Sequence, residues 1–335
     1  MSKVEYAIKK RVLTALRHEQ PDKVPYHLDL TDLVYKRMQE YFHDDDFFSK
    51  TGSHLAQERN ESFTKVSETG FYDMFGVLWN SEQEGDFGIV TNRVFENAGF
   101  KGYVFPEPDE KLIREKCERL AKQPDKFTMY IIGFSLFERA WTLRGFNEIL
   151  MDFLLEKKFA NELLDRIVEY NLKVVDIVSE HDVDCIFFGD DWGQQKGLIM
   201  GPHIWKEFIR PRLKRQYDYV KGKGMYVAQH ACGDIREVFS DLVDIGMDIY
   251  NTFQPEIFDV AKMKQEYGRD VTFYGGVSTQ RLLPFETPDA VRKETRRLMD
   301  ILGRDGGYIA APTHAIPNDV PTENILALLD VLKNQ

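Results

Sequence analysis

The stretch Met225-Tyr226-Val227-Ala228-Gln229-His230-Ala231-Cys232-Gly233-Asp234 decides the fold. Its first half is a short apolar run and reads as a buried strand; the Gly-Asp at its end reads as a turn. Residues i and i+2 of a strand share a face, so His230 and Cys232 can point at one atom. A second strand-like end occurs at Ala311-Pro312-Thr313-His314. One thiolate and two imidazoles are three of the four donors that zinc prefers, and a fourth position left open marks a catalytic ion rather than a structural one. Each residue also has an ordinary reading. Cysteine is often a small buried hydrophobe, and a strand-end histidine is commonly satisfied by a backbone carbonyl. The mixed sulfur and nitrogen donors favour zinc over magnesium or calcium, which want oxygen, while iron and cobalt accept the same set.

Working outward, similar runs occupy residues 24–28, 74–79, 127–133, 184–188, 225–229, 247–251, 271–275 and 308–311. Between the later ones lie segments of helical period. Val238, Phe239, Leu242 and Val243 share one face, as do Val291, Thr295, Leu298 and Ile301. Eight strands alternating with helices predict an α/β chain folded as a (β/α)8 TIM barrel. Residues 86–104, rich in glycine and alternating apolar positions, predict a β-hairpin inserted near the second strand. The sequence holds no internal repeat, low-complexity tract or Pro/Ser-rich linker, so residues 1–335 are expected to form a single domain.

In such barrels chemistry gathers at the C-terminal ends of the strands. Those ends here carry Asp190-Asp191-Trp192, His230-Ala231-Cys232, Asn251 to Gln254, Gly275-Gly276 and His314. Asp190 and Asp191 are the catalytic candidates: one of the pair caps a helix, and the other supports a metal ligand or holds a substrate hydroxyl. Trp79, Phe134, Trp192, Phe253 and Tyr274 are candidate flat walls for a substrate, with Gln254 as a polar contact. Aromatic residues are more often core in a chain that is 13% Phe, Trp and Tyr.

Composition sets the outer bounds. A chain of 335 residues that is 43% hydrophobic can bury a large core, and a formal charge of −11 argues against a nucleic-acid surface. The N-terminal stretch breaks its apolar residues with charges at helical spacing, unlike a signal peptide, and no apolar run reaches membrane length. A cytoplasmic location is expected. Cys117, Cys185 and Cys232 lie far apart without a C-x-x-C, which fits a reducing compartment. Oligomeric state, including a homo-oligomer, is left open.

Several segments, in order, carry a family resemblance. They are Ala15-Leu16 through Gln20-Pro21-Asp22-Lys23-Val24-Pro25, Phe188-Gly189-Asp190-Asp191 with Gln194 and Pro202, and Ala231-Cys232-Gly233-Asp234. Asp244 through Asp248 to Gln254-Pro255, Tyr274-Gly275-Gly276-Val277, and Pro312-Thr313-His314 through Val320 to Asn324 complete them. In these the chain resembles the uroporphyrinogen decarboxylase superfamily over nearly its full length. That superfamily houses a metal-free decarboxylase and zinc-dependent methyltransferases that work with corrinoids. The decarboxylases carry an arginine-bearing motif near the start, where this chain has Tyr26-His27-Leu28-Asp29-Leu30. The methyltransferase branch carries a His-x-Cys and a distant Cys as zinc ligands. His230 and Cys232 match that pair, and the third ligand falls on His314.

The resemblance implies a zinc enzyme with a partner corrinoid protein, since no corrinoid-binding Asp-x-His-x-x-Gly pattern occurs in this chain. An imidazole in place of a thiolate leaves the ion more positive by one unit, which suits polarising a leaving oxygen. The expected reaction is transfer of a methyl group from a methoxylated small molecule, an aryl methyl ether, to the cob(I)alamin of that partner. Methyl transfer from methylcobalamin to a thiol, decarboxylation of the uroporphyrinogen type, and a non-enzymatic docking role are the alternatives. For decarboxylation the nearest cationic candidates are Arg139, Arg144 and Arg210.

Overall fold

The computed structural model describes residues 8–81 and 88–335. Its strands, in chain order, are β1 Leu55–Arg59, β2 Phe63–Lys65, β3 Gly70–Asp73, β4 Leu78–Asn80, β5 Ile89–Val90, β6 Phe127–Ile132 and β7 Cys185–Gly189. Then come β8 Gly193–Gln194, β9 Gly197–Leu198, β10 Tyr226–His230, β11 Ile249–Phe253, β12 Thr272–Val277 and β13 Tyr308–Pro312. Seven of them form one sheet in the order β1-β6-β7-β10-β11-β12-β13. The pairs β6–β7, β7–β10, β11–β12 and β12–β13 run parallel. The protein is thus an α/β chain built on a seven-stranded sheet with the strand–helix alternation that the sequence predicts.

The chain divides into two compact units. One comprises Gln57–Lys122 and Met129–Met247. Within it Met129 to Ile132 of β6 are buried, as are Cys185 to Phe188 of β7 and Val227 to Gln229 of β10, the continuous burial of parallel strands covered on both faces. The register sets Ile132 beside Phe188 and Gly189 beside His230. The 22-residue helix Lys157–Val178 presents Ala160, Leu163, Leu164, Ile167 and Val168 as one buried stripe. Fully burying the leucine, isoleucine and valine side chains of that stripe contributes about 1.5–3 kcal/mol each.

The other unit comprises Met1–Ala56, Gln123–Thr128 and Asp248–Gln335. Here β11, β12 and β13 are buried throughout. The helix Pro288–Leu302 starts cleanly because Thr287 accepts the Ala290 N–H and Pro288 needs no N–H partner at the first helical position.

Three expectations change. The first predicted strand, residues 24–28, is a single parallel bridge between Tyr26 and Ala310. Pro25 offers only its carbonyl to Ala310, and the Tyr26 carbonyl turns to His54 N–H, so no ladder develops. The second predicted strand, residues 74–79, starts as a turn: the Asp73 carboxylate accepts Phe75 N–H at 2.9 Å and Val77 N–H at 3.0 Å, and Gly76 sits at φ 78°. The sheet uses β1 instead. The hairpin expected over residues 86–104 is replaced by a four-stranded antiparallel sheet, β2-β3-β4-β5, to which that stretch contributes β5 alone. Beyond β5 the rings of Phe95, Phe100, Tyr103 and Phe105 pack on one another, which takes up the apolar positions that suggested alternation. Asp86 and Phe87 lie outside the described residues. Among the described residues no helix is long and apolar enough to cross a membrane.

Candidate metal centre

β10 ends on His230, and the chain turns so that Cys232 Sγ lies 3.4 Å from His230 Nε2. The two donors therefore converge as expected, although it is the turn after β10, not continued strand, that brings Cys232 round. The strand end is held from behind: the His230 carbonyl accepts Gln229 Nε2 at 2.8 Å and Asp190 N–H at 3.1 Å, and Tyr217 donates its hydroxyl to Gln229 at 2.6 Å. Two glycines set the loop. A Cβ on Gly193 would stand 2.5 Å from the Cys232 carbonyl oxygen, and one on Gly233 would stand 2.3 Å from the Gly193 carbonyl carbon. Only side-chain-free residues let these two backbones touch, and Asp234 N–H then reaches the Gln194 carbonyl at 2.8 Å.

The structure divides the Asp190-Asp191 pair. Asp190 is wholly buried, and its carboxylate accepts N–H groups from Leu136, Phe137 and Glu138 at 3.3, 2.9 and 2.7 Å, together with the Trp192 indole. It closes the start of the helix Phe137–Arg144. Burial pushes its carboxyl up to about 7, against the pull of those donors. Read from sequence as catalytic, Asp190 is a capping residue with no oxygen to spare. Asp191 is only half-buried; its Oδ1 accepts the Cys232 N–H at 2.7 Å and lies 3.5 Å from His230 Nε2. It orients the His-x-Cys loop.

Trp192 is likewise corrected. It is fully buried, its indole N–H is used by Asp190, and its ring packs edge-on against Trp205 at 5.5 Å, so it is core rather than a substrate wall. Trp79 and Phe134 stand together at 5.2 Å; Trp79 donates to Asp73 at 3.2 Å, and Phe134 takes a left-handed backbone at φ 49° just beyond β6. In the other unit, Gln254 follows β11 and Tyr274 lies on β12, both buried, while His314 follows β13 and is exposed.

Sequence reasoning missed Glu138. It sits in the first turn of the helix that Asp190 caps, and its carboxyl is pushed well above the usual range by burial and then by Asp191 and Asp190. A lone glutamate inside a helix carries no motif. Burial first, then Asp191 and Glu138, push the Cys232 thiol well above its ordinary value. Without an ion the thiol is held protonated; a cation is what would reverse that balance, so the donor set fits a metal.

The three arginines that a polycarboxylate substrate would need are already engaged. Arg139 is paired with Asp73, Arg144 with Asp152 at 2.8 Å, and Arg210 with Asp241 at 2.9 Å.

The family model described as uroporphyrinogen decarboxylase matches residues 71–335. Among curated relatives, the chain is 22% identical over 261 residues to uroporphyrinogen decarboxylase of Methylococcus capsulatus, covering 74% of this chain and 72% of that one. It is 24% identical over 169 residues to a methylcobamide:CoM methyltransferase of Methanosarcina barkeri, which spans 50% of this chain and 47% of that one. Among solved structures, a methyltransferase from Methanosarcina mazei superposes with a TM-score of 0.75 at 18% identity, over 98% of this chain and 99% of that one. At that identity the likeness is one of fold.

Proposed function

This chain belongs to the uroporphyrinogen decarboxylase family, and we propose that it is a zinc-dependent methyltransferase acting on methoxylated small molecules. The methyl group of an aryl methyl ether would pass to the cob(I)alamin of a partner corrinoid protein. The observation that carries this reading is the convergence of His230 Nε2 and Cys232 Sγ to 3.4 Å at a strand end. Further support comes from His314, an exposed histidine just beyond β13, where the resemblance places the third ligand.

These three residues would hold the ion. When bound, zinc supplies a Lewis acid for the ether oxygen, easing departure of a phenolate whose parent acid has a pKa of about 10. The chain's own residues do the rest. Cys232 would give up its thiol proton to solvent on becoming a ligand. Asp191 fixes the Cys232 backbone and keeps a carboxylate oxygen beside His230. Glu138, whose carboxyl is pushed well above the usual range by burial, is an acid close enough to Cys232 for its negative form to raise the thiol. The set of one thiolate and two imidazoles favours a leaving oxygen over an attacking thiol, which separates this reading from methyl transfer to a thiol. The decarboxylase alternative requires unengaged cations, and Arg139, Arg144 and Arg210 are all paired.

The test is the metal content of the purified protein by elemental mass spectrometry, for wild type and His314→Ala. Near-stoichiometric zinc that falls sharply in the variant is expected, followed by methylation of cob(I)alamin with methoxyarenes. Wild type devoid of metal would overturn the mechanism.

A further inference from the structure

Glu61 is an acid with its charge matched and its hydrogen bonds missing. It follows β1, where the preceding Asn60 donates its N–H to the Ile131 carbonyl of β6 at 2.8 Å. Its side chain is 10% exposed, and neither carboxylate oxygen accepts a hydrogen bond. Positive charge is close by: Arg59 lies 4.0 Å from Oε1, and the Lys116 ammonium binds the Glu61 carbonyl at 2.8 Å. The carboxylate therefore lacks a donor rather than a counter-charge. Leaving such a group unsatisfied is costly, and an ordered water, an ion or a ligand is what completes it in native structures.

Its position says which ligand. The carboxylate rests against Gly133 at the end of β6, where a Cβ would stand 2.3 Å from Oε1. Gly133 is followed in the row of strand ends by Gly189, 3.5 Å away by the same measure, and Gly189 is in register with His230. Two strand spacings of about 4.8 Å thus separate Gly133, against which the carboxylate rests, from His230, and the position between them is Gly189. A flat ring fits a floor without side chains, and Phe134 follows directly after Gly133.

We infer that Glu61 selects the substrate by accepting a hydrogen bond from a hydroxyl on the same ring as the methoxy group. The inference rests on the methyl-transfer reading above. On binding, the carboxylate turns from its sealed position against Gly133 toward that hydroxyl. A neutral donor suffices, since Arg59 and Lys116 already balance the charge.

The experiment is calorimetric titration of the purified protein with 4-methoxyphenol and with 1,4-dimethoxybenzene, for wild type, Glu61→Leu and Glu61→Gln, each checked for thermal unfolding. Wild type should prefer the phenol by about 10- to 100-fold, the worth of one hydrogen bond to a charged acceptor. Glu61→Leu should lose the preference while still binding the dimethyl ether, and Glu61→Gln should fall between; if Glu61→Leu does not fold, Glu61→Gln decides alone. Equal binding of both compounds by wild type, binding of neither, or a preference unchanged in the variants would overturn the inference. Cob(I)alamin methylation is read in parallel. Preference without methyl transfer would sink the methyl-transfer reading and leave Glu61 as the phenol acceptor; transfer without preference would sink the inference alone.

Discussion

Asp191 and Cys232 are joined by a hydrogen bond of 2.7 Å from the Cys232 N–H to the Asp191 carboxylate, tying the loop after β7 to the loop after β10. The bond holds the backbone of a ligand rather than the ligand atom. Partners of this kind commonly govern metal affinity by 10- to 100-fold. Asp191→Ala is therefore expected to weaken zinc binding about 10- to 100-fold, whereas Asp191→Asn, which keeps an acceptor oxygen, should recover most of the loss. Competition with a chromophoric chelator reads both, and equal affinities in wild type and Asp191→Ala would refute the orienting role.

Its neighbour should behave oppositely. Asp190 satisfies three backbone N–H groups at a helix start and a buried indole. Asp190→Ala strands these donors in an apolar setting and should cost about 2–4 kcal/mol of stability. Because Asp191 is half-exposed, Asp191→Ala should cost less than about 1 kcal/mol. Urea unfolding of the two variants side by side checks the division; equal midpoints would refute it.

That division could not be read from an Asp-Asp dipeptide, because which carboxylate faces a helix start depends on where the preceding helix lands. The His-x-Cys convergence was legible in part: the spacing suggested that the two donors meet, but Cys232 lies beyond the end of β10, and the close approach of Gly193 and Gly233 that sets its loop leaves no signal in the spacing. β1 was not: Leu-Ala-Gln-Glu-Arg lacks β-branched residues, and only Leu55 and Ala56 are buried. The turn at Asp73 was hidden for the opposite reason, because Met74-Phe75-Gly76-Val77 looks apolar while the Asp73 side chain takes the backbone N–H groups that a strand would need. Trp192 misled because composition cannot tell a core indole from a wall. Glu61 and Glu138 show nothing in sequence, as their burial is created by strands and helices distant along the chain.

The approach of Gly193 to the Cys232 loop gives a purely steric prediction. An alanine Cβ at 193 meets backbone atoms of Cys232, Gly233 and Asp234 at 2.5–2.7 Å, and backbone cannot swing aside as a side chain can. Gly193→Ala should displace the loop and lower zinc occupancy severalfold, with helix content by circular dichroism unchanged. Full zinc retention would show that the loop tolerates the shift.

Two buried histidines set the acid limit of the unit that contains β11 to β13. Burial holds His27 down to about 4, and burial followed by Arg11 holds His54 down to about 3, while an unfolded histidine titrates near 6.5. Lowered folded values mean that the unfolded chain binds the extra protons. Stability should thus be whole above about pH 6.5 and decline as pH falls toward 4, by up to about 1.4 kcal/mol per pH unit for each histidine. The Tyr26 N–H donates to His54 Nδ1 at 2.9 Å, a bond that protonation of that nitrogen abolishes. His54→Asn, whose side-chain oxygen can accept the same N–H, should lose some stability at pH 7 but show a shallower decline between pH 6.5 and 4. Urea midpoints across that range decide the matter, and an unchanged slope in His54→Asn would place the acid sensitivity elsewhere.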